Sequence, residues 1–84
     1  MDKLRTLPNI GESLEAALES VGIHTPGELR QVGAREAFFR LRLRDPAVCL
    51  SRLCALQGAV EGIRWHLLPE ETKAGLRAFF KELK

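Results

Sequence analysis

The side chains best suited to chemistry in this sequence are two cysteines and two histidines, and they form no catalytic or metal-binding pattern. Cys49 and Cys54 are five residues apart, so on a helix they point about 140° away from each other. Two cysteines this close cannot form a disulfide framework, and a zinc site would need further ligands at regular spacing. His24 and His66 stand far apart in the sequence. We therefore predict no metal, no cofactor and no small-molecule substrate, and we expect both cysteines to be small core residues.

The adjacent residues Trp65 and His66 are the one further cluster of rarer side chains. We expect them to form a corner of the core, with Trp65 buried and His66 capping a helix or exposed. The sequence shows no Ser-His-Asp set, nucleotide-binding loop or pair of carboxylates suited to acid–base chemistry. The chain is therefore predicted not to be an enzyme.

Arginine is the residue type whose distribution most suggests a binding function. Residues 30–52 carry six arginines against two acidic residues, a net charge of +4. Residues 1–29 have a net charge of −3 and residues 53–84 of +1, so the whole chain reaches only +2. Such a segment is typical of a nucleic-acid patch or of a solvated helical face with paired charges. Both interpretations stay open for Arg30, Arg35, Arg40, Arg42, Arg44 and Arg52.

Five helices must position these side chains, as judged from apolar periodicity and from the residues that start and stop helices. The predicted ranges are 10–20, 26–31, 35–43, 47–62 and a last helix that opens at Pro69 and carries Lys81 and Lys84 in its final turn. We expect residues 1–6 to be a short lead-in that frays. The sequence shows no strand-like alternation. The prediction is an all-α fold, a small bundle in which residues 1–84 form one domain.

Local signals define the ends of these helices. Capping boxes are predicted for Asn9 with Glu12 and for Thr25 with Glu28, and Asp45 followed by proline predicts the start of the fourth helix. Gly22 is predicted to end the first helix, whose outer face carries Glu12, Glu15 and Glu19.

The fourth helix is the most apolar and is predicted to be central. We expect nearly complete burial of Leu50, Leu53, Val60 and Phe79, and close helix packing at Gly58 and Gly62. Phe38 and Phe39 are also expected to serve the core. The sequence has no run of ~20 apolar residues and no signal-peptide core at its start, so we expect a cytoplasmic protein without a membrane partner.

Two turns resemble those of helix-hairpin-helix modules, in which glycine lets backbone N–H groups approach a phosphate. The first turn contains Pro8, Asn9, Ile10 and Gly11. DNA-binding hairpins usually carry a basic residue after the final glycine, whereas this chain has Glu12 there. The second turn, around Gly33, is therefore the better candidate. The predicted nucleic-acid-binding residues are Arg30, Gly33, Ala34, Arg35, Arg42 and Arg44.

Over nearly its whole length the chain resembles the C-terminal domain of the TfoX family, regulators of bacterial natural competence. The resemblance is carried by segments in the family's order, among them 7–11, 21–30, 33–38, 48–50 and 62–66, the last reading Gly-Ile-Arg-Trp-His. It implies a small helical domain that in many members accompanies a separate N-terminal domain and assists transcription of competence genes. The family motif labels no binding residues.

Two functions follow as hypotheses. One is a regulatory module that binds DNA weakly and without sequence preference through the hairpin-like turns. The other is a protein-interaction module that docks on a transcription regulator or polymerase, or that self-associates, without touching DNA. A continuous basic surface would favour DNA binding, and an exposed apolar patch would favour protein docking.

Overall fold

Five α-helices and two 3₁₀ turns make up the secondary structure of residues 3–83, the part of the chain that this computed structural model describes. The α-helices are α1 (Glu12–Ser20), α2 (Pro26–Val32), α3 (Ala34–Arg44), α4 (Leu50–Glu61) and α5 (Glu70–Glu82), and the 3₁₀ turns span Leu4–Thr6 and Trp65–Leu67. The all-α prediction is confirmed. The Cα radius of gyration is 11.7 Å, close to the ~12 Å expected for a compact chain of this length. The predicted last-turn residue Lys84 lies outside the described residues.

The start of α2 follows its sequence signal closely. The Thr25 hydroxyl accepts a hydrogen bond from the backbone N–H of Glu28, at 3.1 Å. The Glu28 carboxylate accepts from the backbone N–H groups of His24 and Thr25, at 2.7 and 3.1 Å. Both bonds of the predicted capping box are therefore present. Pro26 occupies the first helical position, where a residue without an N–H leaves no donor to satisfy. Gly22 follows the end of α1, also as predicted.

The start of α4 was predicted wrongly. Asp45 is the C-cap of α3, and its Oδ1 accepts a hydrogen bond from the backbone N–H of Ala47, at 3.0 Å. The carboxylate therefore stabilises a turn instead of capping a helix, and α4 begins at Leu50 with Cys49 as its N-cap. Cys49 is exposed, contrary to the prediction, whereas Cys54 is buried as expected.

The core forms around α4, which packs against α2, α3, α5 and the Trp65–Leu67 turn. Leu53, Leu56 and Ala59 on α4 are fully buried, together with Phe38 from α3. Leu76 of α5 is also buried. The central position predicted for α4 is therefore confirmed.

Three of the four residues expected to be nearly fully buried are only partly buried. Leu50, Val60 and Phe79 pack against the core but keep part of their surface in contact with solvent. Leu50 is at the open first turn of α4, and Phe79 is covered on one side by an arginine instead of by apolar side chains. Only Leu53 of this group matches the prediction.

Leu4 and Arg5 of the lead-in are fixed to the fold, contrary to the expectation that this segment frays. Leu4 is fully buried, and Arg5 holds the side chain of Glu15 with its backbone N–H (3.1 Å to Oε2), with Nε (3.0 Å to Oε1) and with Nη2 (2.8 Å to Oε1). Glu15 was predicted on the outer face of α1, yet it is only 6% exposed. These contacts, first the side-chain hydrogen bond from Arg5, lower the pKa of the Glu15 carboxyl. Residues 1 and 2 of the lead-in lie outside the described residues.

Truncation in α4 should test the core directly. Leu53→Ala is expected to lower the free energy of unfolding by about 2–5 kcal/mol, because the side chain is fully buried. Leu67→Ala, at a leucine that is 65% exposed, is the matched control and should change it by less than about 0.5 kcal/mol. Urea melts followed by circular dichroism would measure both. A loss below about 1 kcal/mol for Leu53→Ala would contradict a central α4.

The Arg5–Glu15 pair should make stability depend on acidic pH. Because the folded state lowers the pKa of Glu15, the ionised carboxyl contributes stability above the pKa of the unfolded chain. That contribution is lost as the pH falls through the lower, folded-state pKa. Glu15→Gln should therefore unfold at lower urea than the wild type at neutral pH, and the difference should shrink on acidification.

A matched control is Glu36→Gln, since Glu36 pairs with Arg40 on an exposed helical face. It should change the urea midpoint little at any pH. A wild-type advantage over Glu15→Gln that stays constant with pH would show that the ionised carboxylate is not the stabilising species.

Candidate interaction surface

The first hairpin-like turn is used to hold the fold together. Asn9 has φ of 71°, and it is the non-glycine residue with positive φ in the described part of the chain. Its side-chain Nδ2 donates to the carbonyl oxygens of Ile63 (2.9 Å) and Ala55 (3.4 Å), and its Oδ1 accepts from the backbone N–H of Trp65 (3.1 Å). The predicted capping of α1 by Asn9 is therefore wrong, and Gly11 is the N-cap. The amide instead binds one backbone carbonyl within α4 and satisfies two backbone groups that follow it.

Gly58 makes room for this contact. A Cβ atom there would lie 2.5 Å from Nδ2 of Asn9 and 2.7 Å from the carbonyl oxygen of Ile63, which is closer than real contacts allow. The prediction of close packing is thus confirmed for Gly58. Gly62 is instead the left-handed C-cap of α4, so its predicted place inside the helix is wrong.

The Trp65–His66 corner has its backbone packed on α4 and its side chains turned outward. The Cα of Trp65 lies 3.1 Å from the position that a Cβ of Gly58 would take, yet the Trp65 side chain leaves the residue 41% exposed. The rings of Trp65 and His66 meet edge to face, with centroids 5.8 Å apart. The expectation of a buried Trp65 is therefore wrong, because the backbone and not the ring makes the close contact.

The remaining residues of the first turn are also largely committed to the fold. Ile10 is in the core, Pro8 is half-buried, and Gly11 is exposed. Of the nearby carboxylates, Glu12 faces solvent and Glu15 is held by Arg5. A negative group beside the turn opposes phosphate binding there.

The second turn joins α2 directly to α3. Gly33 has φ of 88° and is both the C-cap of α2 and the N-cap of α3, a conformation that favours glycine. Ala34 is buried, so its side chain faces the core and not a ligand. Arg30 and Arg35 flank the turn and are exposed.

The four arginines of α3 are divided between two sides of the helix. On the α5 side, the guanidinium of Arg35 lies 5.3 Å from the ring centre of Phe79, and that of Arg42 lies 5.2 Å from that of Phe80. These are cation–π distances. This side therefore holds two of the six predicted basic residues against aromatic rings.

The other side of α3 faces the end of α1. There Arg40 pairs with Glu36 at 3.0 Å, and Arg44 donates to the carbonyl oxygen of Ser20 at 3.2 Å. Arg44 also lines a groove of about 270 Å³ together with Arg52 and Asp45. The predicted basic residues therefore do not all meet in one patch.

Two exposed apolar side chains lie beside the stacked arginines. Phe39 is 41% exposed and Leu43 is 71% exposed, and they follow each other by one turn of α3. With Arg35 and Arg42 they occupy helical positions i, i+4, i+7 and i+8, which share one face. We call these four residues the α3 strip. Phe39 was expected in the core, but it is displaced by about 100° from the buried Phe38 around the helix.

The sequence spacing could have indicated this surface. Arg35 and Arg42 are seven residues apart and so share an outer line of the third helix, and the same helical arithmetic places Phe39 and Leu43 beside them. Assigning Phe39 to the core by residue type concealed the strip.

The two cysteines have different environments. The backbone N–H groups at the start of α4, that of Arg52 first, lower the pKa of the Cys49 thiol, whereas burial raises the pKa of Cys54. Within residues 3–83, no three His, Cys, Asp or Glu side chains cluster so that they could hold a metal ion. In the same part of the chain, no helix is long and apolar enough to cross a bilayer.

Replacing Asn9 should test its bridging role. Asn9→Gly accepts the positive φ without strain, so it isolates the loss of three side-chain hydrogen bonds. We expect the free energy of unfolding to fall by about 1–3 kcal/mol, because part-buried carbonyl groups lose a donor. Emission of Trp65, the single tryptophan, should also shift in the native state.

Asn9→Asp is the matched comparison, since aspartate has a similar size and also tolerates positive φ. It keeps an acceptor for the Trp65 N–H but places a carboxylate against two carbonyl oxygens, so it should destabilise at least as much. Unchanged urea midpoints for both variants would refute the bridge.

Comparison with known proteins identifies a family, a curated relative and solved structures that resemble this chain. Residues 1–80 match the family model of the TfoX C-terminal domain. Protein Sxy of Escherichia coli strain K12 is 40% identical over 68 residues, which cover 81% of this chain and 32% of Sxy. The chain thus spans about a third of the length of that relative.

Two solved structures from Listeria monocytogenes have the same fold. An uncharacterised protein in a triclinic crystal form is 51% identical, with a TM-score of 0.96, over 98% of this chain and 93% of that one. A protein of unknown function in a tetragonal form is 52% identical, with a TM-score of 0.91, over 93% of this chain and 96% of that one. The family match extends over nearly all of the sequence, and the chain therefore belongs to the TfoX C-terminal domain family.

Proposed function

We propose that this domain is a non-catalytic regulatory module of the cytoplasm that acts in the transcriptional control of competence by docking on another protein through the α3 strip. Family membership supports the regulatory part of this proposal. The docking partner belongs to the transcription apparatus, as a regulator or the polymerase.

The observation that carries the docking proposal is the exposure of Phe39 and Leu43 beside two arginines that lie against the rings of α5. Contiguous exposed apolar side chains with a polar border are a mark of interaction surfaces. Aromatic residues and arginines also dominate the binding energy of protein interfaces. The α3 strip combines these residue types on one helical face.

A second candidate function is weak DNA binding at the α2–α3 turn. The specific observation in its favour is that Arg30 and Arg35 are both exposed beside the positive-φ Gly33, where the backbone turns sharply into α3. Phosphate groups would be the ligands there, without base-specific contacts.

Substitution in the source organism separates these two functions. The strip variant Phe39→Ala/Leu43→Ala is expected to reduce competence-gene transcripts at least about tenfold, because truncating interface hot spots commonly costs more than about 1.4 kcal/mol. Leu67→Ala, another exposed leucine away from α3, should leave transcription unchanged. Arg30→Glu should also have little effect, since Arg30 is on α2 and outside the strip.

Immunoblots must show equal protein levels for the result to count. Loss of transcription in Arg30→Glu with normal transcription in the strip variant would favour the DNA-binding candidate. Normal transcription in both variants would contradict both candidates.

A further inference from the structure

We infer that the segment which docks on the α3 strip is an acidic amphipathic helix that presents two apolar side chains one turn apart, bordered by carboxylates. This inference rests on the proposed docking function and specifies the chemistry of the partner. It is carried by the apolar pair, by the fixed positions of the two guanidinium groups and by the charge of the strip.

The apolar part of the strip matches one face of a helix. Phe39 and Leu43 are four residues apart, so their Cα atoms lie about 6 Å apart along α3. Large apolar residues at i and i+4 of a partner helix have the same rise, and those at i and i+3 come close to it, at about 4.5 Å. A helix packed along α3 therefore brings two apolar side chains against Phe39 and Leu43, as in helix-in-groove recognition.

The arginines have fixed directions before any partner arrives. The guanidinium of Arg35 lies over Phe79, and a Cβ atom on Gly75 would lie 3.3 Å from its Nη2, so this side chain lies close against α5. The guanidinium of Arg42 lies over Phe80, whose ring packs on the buried Phe38 with centroids 5.9 Å apart. Preordered side chains lose less conformational entropy on binding.

The charge of the strip selects an acidic partner. Its four positions carry two arginines and no carboxylate. Glu36, the acidic residue within α3, lies beside Leu43 on the edge away from these arginines, and its ion pair with Arg40, at 3.0 Å, offsets its charge. Arg35 and Arg42 are seven residues apart, about 10 Å along the helix, and lie along one edge of the apolar pair. Carboxylates two turns apart on the partner would meet both guanidinium groups and accept charge-assisted hydrogen bonds.

The test uses a synthetic fluorescein-labelled helical peptide with two leucines at i and i+4 and with glutamates beside them. Fluorescence anisotropy with the full chain should show saturable binding that weakens several-fold between ~50 and ~500 mM salt, because exposed charge pairs are screened. Phe39→Ala/Leu43→Ala should weaken binding at least about tenfold. Arg35→Gln/Arg42→Gln should weaken it and flatten the salt dependence.

Matched controls address both sides of the interface. Leu67→Ala changes an equally large exposed leucine elsewhere and should bind as tightly as the wild type. Peptides with glutamine or lysine in place of glutamate should bind more weakly, with lysine weakest. Circular dichroism and urea melts must show that the strip variants, whose substitutions lie on the surface, keep the native fold.

Three outcomes would overturn the inference. These are equal binding of the glutamate and lysine peptides, binding that survives both strip variants, or no binding of the acidic peptide while duplex DNA binds at Arg35 and Arg42. Failure here is distinguishable from failure of the proposed function. If the strip variant abolishes transcription in cells and the acidic peptide does not bind, docking stands and the acidic partner is wrong.

Discussion

The side-chain amide of Asn9 is the interaction on which the arrangement of this domain depends most. It joins a turn near the start of the chain to the backbone that follows α4, across a separation of more than fifty residues in sequence. The bridge needs a residue that tolerates positive φ, a donor and an acceptor at Asn9, and a missing side chain at Gly58. Each requirement is weak by itself, but together they fix how the first turn, α4 and the Trp65 corner meet.

The candidate interaction surface follows from this framework. With α4 fixed against the first turn, α3 and α5 pack on α4 from other sides and approach each other through aromatic side chains. Arg35 and Arg42 of α3 lie over the rings of Phe79 and Phe80 of α5, so guanidinium groups cover these rings where α3 and α5 meet. What remains open on α3 is a short apolar pair with fixed positive charges beside it.

The sequence predicted the features that depend on neighbouring residues and missed those that depend on distant ones. The Thr25–Glu28 capping box, the helix stop at Gly22 and the central position of α4 are local or periodic signals, and all three were confirmed. Asn9 followed by Glu12 has the same local signal as Thr25 followed by Glu28. Its amide serves α4 instead because the free carbonyl of Ile63 lies beside it, a contact that no local pattern encodes.

The predictions of which side chains are buried also failed where burial depends on distant residues. Apolar residue type predicted a buried Phe39 and Trp65, but helical position turned the first ring outward and backbone packing turned the second. Glu15, which was predicted on the outer face of the first helix, is buried because Arg5 supplies three donors to its carboxylate. The candidate surface was only partly predictable for this reason. The outer line of Arg35 and Arg42 was visible in the sequence, whereas the aromatic rings of α5 that hold those arginines were not.

Amide hydrogen exchange of the Trp65 backbone N–H, followed by NMR, tests the Asn9 bridge most directly. Trp65 is in a short exposed turn, where a solvent-facing N–H exchanges rapidly, but its N–H donates to Asn9 at 3.1 Å. The bridge predicts strong protection of this proton, approaching that of core amides in α4, because opening it requires the first turn and α4 to separate. Exchange of the Trp65 N–H at the rate of an unprotected amide, with α4 still protected, would show that the bridge does not hold the domain together.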